Sequence, residues 1–163
     1  MNTIYLMRHG DAVSMTAGVD EASRPLTSLG ERQARACGRA LGILEASPDF
    51  IASSPLRRAV QTAELTATAA AVADITISET LRPGLDPLRV AGWLSQIDSR
   101  STLLVSHAPS IGRLGSWFFA SDDRAGIHFS KAALMCLAVN QIEPGGCELE
   151  WFLTTEQIDR IAG

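Results

Sequence analysis

The sequence predicts an α/β fold in three layers, a mostly parallel open sheet flanked by helices, with antiparallel strands near the C-terminus. Three observations predict it. Apolar runs of strand length alternate with segments of helical periodicity, the pattern that layers helices onto a sheet. The runs at 2–7 and 102–106 carry the continuous apolar stretches Ile4-Tyr5-Leu6-Met7 and Leu103-Leu104-Val105, as buried strands do. The last two strand patterns, 134–141 and 148–153, are joined through Pro144-Gly145-Gly146, a connection that returns the chain antiparallel. With 163 residues, of which 46% are hydrophobic, one sizeable core and a single domain over 1–163 are expected.

The elements follow in order. After the strand at 2–7, residues 11–25 read as a long polar loop holding Gly18, Asp20, Ser23 and Pro25. A loop of that length in a compact domain is usually functional or mobile. A helix follows, capped by Thr27 or Ser28, with Glu31, three residues after Ser28, as capping-box partner. Ala34, Cys37, Leu41 and Leu44 recur along it at helical spacing. Its Gly38 and Gly42 give up helix propensity but permit close packing on a sheet. Asp49 to Ser53 reads as the second strand, and Ser54-Pro55 opens a helix to about Val72, with an Ala-rich end through Ala67 to Ala73. Residues 74–78 predict a third strand. Pro83-Gly84 and Pro87 punctuate a loop before a helix at about 88–98. Thr102 to Ser106 is the fourth strand, and Pro109 stands where a helix to about Phe119 begins. Residues 121–131 read as polar loop, and a short terminal helix covers 155–162.

Composition excludes several classes. Charged residues make up 20% and the formal net charge is −4, which gives no electrostatic reason to expect nucleic-acid binding. Lys131 is the single lysine, so the positive charge is almost all arginine, the side chain suited to forked oxyanion contacts. No segment approaches the roughly 20 apolar residues of a membrane span, and Thr3 to Met7 follows the N-terminus without a basic region or cleavage pattern. A cytoplasmic protein with no membrane association is expected, and nothing demands an oligomer, so a monomer is the default. Cys37, Cys136 and Cys147 form no CxxC pair and read as reduced and buried. No His, Cys, Asp or Glu spacing points to a metal, and no glycine-rich nucleotide loop is present, so no cofactor is expected.

Three residues share one topological setting. His9 follows the first strand, Arg58 the second and His107 the fourth. In an open parallel sheet the carboxyl ends of the strands gather at one edge, where ligands bind. Such a pocket would handle anions. Arg8 and Arg58 can fork around phosphate oxygens, helix starts near Arg58 and Pro109 add N–H donors, and a neutral imidazole can attack phosphorus. Each residue alone has an ordinary reading: a histidine at a strand end is usually structural, and an arginine at a helix start is usually solvated. The conjunction carries the functional reading. His128, beside Phe129 in polar loop sequence, reads as a surface or structural residue, with the pocket rim as its alternative.

At these residues the chain resembles the histidine phosphatase superfamily, whose fold is phosphoglycerate mutase-like. Leu6-Met7-Arg8-His9-Gly10 resembles its signature, and Ser53-Ser54-Pro55-Leu56-Arg57-Arg58-Ala59-Val60-Gln61-Thr62-Ala63 is a more specific match. Leu26 to Ala34 is similar to the family's capped helix start, and Val105-Ser106-His107 to the segment carrying its second histidine. Arg24-Pro25-Leu26-Thr27 and Ser106-His107-Ala108-Pro109-Ser110-Ile111-Gly112 most resemble the SixA-type phosphohistidine phosphatases. The resemblance implies that His9 is the nucleophile, phosphorylated during turnover, and that Arg8, Arg58 and His107 bind the phosphoryl group. It selects Arg58 over Arg57, which becomes a rim or surface charge, and it lets Arg24 reach the substrate.

One departure narrows the substrate. Many members of the superfamily carry an acidic proton donor after the third strand, where this chain reads Ser78 to Asp86. Glu79 and Asp86 are displaced from the expected place, and Asp11 is a third candidate; each also reads as a solvated loop carboxylate. An alkyl alcohol needs a general acid to leave, whereas a phosphorylated imidazole can carry its own proton near neutral pH. The expected function is therefore a phosphatase with a covalent phosphohistidine intermediate, acting on a phosphohistidine-bearing protein. The alternatives are a phosphatase of small phosphorylated molecules (sugar, nucleotide or terpenoid) and a noncatalytic phosphate-binding module.

Overall fold

The computed structural model describes residues 1–15, 20–72 and 75–163. Among them the chain forms β1 (Thr3–Arg8), α1 (Ser28–Ile43), β2 (Phe50–Ser53), α2 (Arg57–Ala70), β3 (Ile75–Ile77) and α3 (Pro87–Leu94). It continues with β4 (Ser101–Ser106), α4 (Ser110–Ala120), β5 (Leu134–Val139), β6 (Cys147–Leu153) and α5 (Thr155–Ala162). The six strands lie in the order β3-β2-β4-β1-β5-β6. The β3-β2, β2-β4 and β4-β1 pairs are parallel, and the β1-β5 and β5-β6 pairs are antiparallel.

The period-2 alternation of the strands divides the apolar residues between two cores. Ile4, Leu6 and Leu104 face one, against Val90 and Leu94 of α3 and Leu114 and Phe118 of α4. Tyr5, Met7, Leu103 and Val105 face the other, against Cys37 and Leu41 of α1, Ala63 of α2 and Ile158 of α5. This is the three-layer α/β architecture that the alternating pattern predicts. Because α1 lies on one face and α4 on the other, the chain leaves the neighbouring strands β1 and β4 in opposite directions. Their carboxyl ends open a crevice between them.

Several boundaries differ from the sequence expectation. Thr27, not Ser28, caps α1: its Oγ1 accepts from Gly30 N at 3.1 Å. Glu31 is therefore no capping-box partner and instead accepts from Arg35 one turn on, at 3.3 Å. The helix expected to reach 98 stops at Leu94, where Ser95 Oγ bonds back to the Ala91 carbonyl at 2.9 Å. The strand expected to reach 141 ends at Val139. The long loop after β1 holds an antiparallel bridge, Ala12 to Leu26, and a 3₁₀ turn at Glu21–Ser23. Gly18 of that loop, Ala73 of the Ala-rich stretch and residue 74 of the third strand lie outside the described residues.

Cys37, Cys136 and Cys147 are free and buried, and burial pushes their thiols up, Cys136 to about 12 and Cys147 to about 11. Among the described residues, no helix is long and apolar enough to cross a membrane.

Candidate active site

His9, His107 and Arg58 follow β1, β4 and β2, three adjacent strands of the parallel part of the sheet. Backbone bonds carry the strand register past the strand ends: His9 N donates to the Ser106 carbonyl at 3.0 Å. The two imidazoles consequently face each other, with ring centroids 5.1 Å apart. Both are buried, and Arg58 is 4% exposed, while its neighbour Arg57 points to solvent. A cavity of about 310 Å³ lies between them, lined also by Arg8, Arg24, Glu21 and Lys131.

The turn that presents His9 is held by close packing and by side chains of the second motif. Gly10 N donates to Thr62 Oγ1 at 3.1 Å, and Thr62 Oγ1 donates to the Arg58 carbonyl at 2.6 Å, which ties the turn to the first turns of α2. Asp11 N donates to Gln33 Oε1 and Leu26 N to Gln61 Oε1, both at 2.8 Å. A Cβ on Gly30 would stand 2.0 Å from the Asp11 carbonyl oxygen, so only glycine lets the start of α1 sit this close.

The hydrogen bonds of His9 settle its tautomer. Nδ1 lies 2.7 Å from the Gly10 carbonyl oxygen, which can only accept, so Nδ1 carries the proton. Nε2 keeps its lone pair and receives Arg58 Nε at 3.2 Å. Burial first, with the neighbouring arginines, lowers His9 to about 4; burial, then His9 and the arginines, lowers His107 to about 3. Both rings are neutral at pH 7.

The remaining groups offer donors. Arg8 Nη1 donates to the Phe129 carbonyl at 2.8 Å, and His107 Nε2 shares a hydrogen bond with Ser54 Oγ at 2.8 Å. Among the described residues, four buried side-chain polar atoms have no hydrogen-bond partner, and three belong to this cavity: Arg8 Nε, Arg24 Nε and His107 Nδ1. Buried polar groups are otherwise nearly always paired. Arg24, which the resemblance lets reach the substrate, lines the cavity and donates to Val13 O at 2.9 Å and to Glu21 Oε1 at 2.8 Å.

None of the three carboxylates considered from sequence lines the cavity. Glu79 is exposed and paired with Arg82. Asp86 caps α3, accepting from Leu88 N at 3.0 Å. Asp11 pairs with Lys131 and accepts from Thr27 Oγ1 at 2.6 Å, and these two hydrogen bonds hold its pKa below the usual range. The acid that does line the cavity is Glu21, which sequence reasoning missed; its only local signal is the i, i+3 spacing to Arg24. Lys131 was missed as well, although it is the one lysine of the chain. His128 is exposed and does not line the cavity. A wider groove of about 670 Å³, bordered by Leu88 and Trp117, contains no imidazole, and its Arg113 and Arg124 are paired with Asp123 and Asp122.

The paired histidines set a pH dependence of stability. Unfolded imidazoles titrate near 6.5 and the folded ones lower, so between those values the unfolded chain binds more protons. Stability is full above about pH 6.5 and falls as the pH drops toward 4, because each imidazole kept neutral in the fold is protonated in the unfolded chain. Thermal melts from pH 7 to 4.5 should show this decline, and His107→Asn should make it shallower.

An α/β domain with facing imidazoles and unpaired arginine donors at its topological switch point is a phosphoryl-handling protein in class. The family model for the histidine phosphatase superfamily (branch 1) matches residues 4–83. A protein of Picosynechococcus sp., itself uncharacterised, is 30% identical over 112 residues, 67% of this chain and 68% of that protein. The chain belongs to the histidine phosphatase superfamily. Among solved structures, the protein histidine phosphatase SixA complexed with tungstate superposes with a TM-score of 0.84 at 24% identity, covering 94% of this chain and 97% of that one. A candidate phosphohistidine phosphatase SixA from Nakamurella multipartitia gives a TM-score of 0.79 at 25% identity, covering 93% and 95%.

Proposed function

We propose that this protein is a phosphohistidine phosphatase in which His9 carries the phosphoryl group. The observation that carries the reading is the Nε2 lone pair of His9, neutral and beside Arg58, in a cavity where Arg8, Arg24 and His107 each keep a buried nitrogen without a partner. In the first step His9 Nε2 attacks phosphorus. The Nε2–P bond forms and the bond to the leaving nitrogen breaks; that nitrogen keeps the electron pair as its lone pair, and the leaving imidazole departs neutral because its other ring nitrogen already carries a proton. The charge gained by the ring is shared with the Gly10 carbonyl through Nδ1–H. In the second step water attacks phosphorus, the Nε2–P bond breaks, His9 recovers its lone pair, and both protons of the water leave on the released phosphate as dihydrogen phosphate. Arg8, Arg58, Arg24 and His107 donate to the equatorial oxygens in both transition states.

The substrate class rests on proton supply. The hydrogen bond from Arg24 first, then the charge of Arg58, hold the Glu21 carboxyl below the usual carboxylate range, so it is ionised at neutral pH and donates no proton. Asp11 is ionised for a similar reason. A leaving imidazole that needs no acid therefore suits this cavity better than an alkoxide. SixA-like neighbours support the same class. We take residues 1–163 as one domain that works in the cytoplasm as a monomer on a phosphorylated protein, independently of cofactor, nucleic acid and membrane.

The test compares kcat/KM for a phosphohistidine-bearing phosphotransfer protein with a panel of alkyl phosphates. A preference of about 100-fold or more for the phosphoramidate is expected, roughly the contribution of one general acid that the ester would lack. A preference for alkyl esters assigns the protein to small phosphorylated molecules instead.

A further inference from the structure

Glu21 sits where the incoming substrate has to go. Each nitrogen of Arg58 already has a partner: Nε donates to His9 Nε2 at 3.2 Å, Nη1 donates to the Glu21 carbonyl at 3.0 Å, and Nη2 forms an ion pair with Glu21 Oε1 at 2.8 Å. The same Oε1 receives Arg24 Nη2 at 2.8 Å. One carboxylate oxygen thus spans two arginines next to the nucleophile, in the manner of a phosphoryl oxygen. The Glu21 side chain is 45% exposed while Arg58 is 4% exposed, so the carboxylate stands at the mouth and the guanidinium beneath it.

We propose that Glu21 is a specificity-determining residue: its carboxylate holds the Arg24–Arg58 pair that the phosphoryl group must take over, and its charge at the mouth selects the leaving group. This rests on the phosphatase reading above and narrows its substrate class. A phosphoryl oxygen reaches Arg58 by displacing the carboxylate, which leaves a negative charge beside the departing group. A phosphate ester with a second anionic group is repelled there. A phosphoramidate with a neutral or cationic imidazole is accommodated. The carboxylate also supports the charge on Arg58, whose pKa burial lowers and Glu21 raises.

Two measurements on Glu21→Gln test this, after circular dichroism establishes an unchanged fold and melting temperature. Calorimetry with inorganic phosphate should show about tenfold tighter binding than wild type, since a competing charge is gone while the amide keeps the shape. The kcat/KM ratio of phosphoimidazole to 3-phosphoglycerate should fall by about tenfold in the variant. Unchanged or weaker phosphate binding overturns the proposal, and so does an unchanged ratio. A drop in kcat for every substrate at constant KM also overturns it, because the carboxyl would then be a proton donor. If wild type turns over neither compound, it is the phosphatase reading that fails, and the calorimetry still decides the role of Glu21.

Discussion

Replacing His9 by alanine is expected to abolish turnover, lowering kcat by on the order of 10⁴-fold or more, as loss of a covalent nucleophile does. The expectation follows from three facts about one ring. The Gly10 carbonyl fixes the proton on Nδ1, the lone pair is on Nε2, and burial with neighbouring arginines keeps the pKa near 4, so the nucleophile is already deprotonated at pH 7. Rapid-quench labelling with a ³²P-labelled phosphoramidate should trap an acid-labile, alkali-stable phosphate on wild type, attached at Nε2 of His9. The variant should trap none, yet should still bind tungstate, because Arg8, Arg58 and His107 remain. Label retained by the variant would falsify the assignment of the nucleophile. Wild type that binds tungstate but never acquires label would be a noncatalytic phosphate-binding module.

Much of this site was legible because its residues follow strands. The alternation of Ile4 and Leu6 with Tyr5 and Met7 marks a strand buried on both faces, and the residue after such a strand must emerge at an edge. The same holds for His107 after Leu103 and Val105. Arg58 over Arg57 was legible through the second motif, and one is buried where the other is exposed. The strand order was not legible: β4 lies between β1 and β2 through pairings some 50 to 100 residues apart in the chain, and local propensity carries no such information. The Thr27 cap was ambiguous for a local reason. Two adjacent hydroxyl residues satisfy the same pattern, and the close approach of Gly30 to Asp11 decides between them.

Glu21 and Lys131 escaped because they reach the cavity from loops. A carboxylate in the sequence Asp20-Glu21-Ala22-Ser23-Arg24 has every mark of a solvated turn. Its pairing with Arg58 spans 37 residues and depends on where the 3₁₀ turn docks. The sequence offered Glu79 and Asp86 after the third strand and Asp11 after the first, whereas the acid that lines the cavity is Glu21, further along the same loop as Asp11. That difference matters chemically, since the Glu21 carboxylate is held by two cations and is the opposite of a raised-pKa proton donor.

Arg58→Ala should lower kcat/KM by about 10³-fold, the second largest effect, with most of the loss in kcat. Arg58 is, among the described residues, the one cation bonded directly to the attacking atom, through Nε at 3.2 Å from His9 Nε2, so a phosphoryl group on that nitrogen lies within its reach. Its burial strengthens each interaction it makes. Arg58→Lys keeps the charge but loses the fork, and should recover no more than about tenfold. The adjacent substitution Arg57→Ala supplies the control: an exposed side chain beside the same backbone should change kcat/KM by less than about twofold. Steady-state kinetics on the three variants, with melting temperatures to check the fold, separates the roles. Equal losses at Arg57 and Arg58 would show that the helix start, rather than the buried guanidinium, stabilises the transferring group. A large loss at Arg58 that lysine fully restores would show that charge alone suffices, and that the fork over His9 contributes nothing to the transition state.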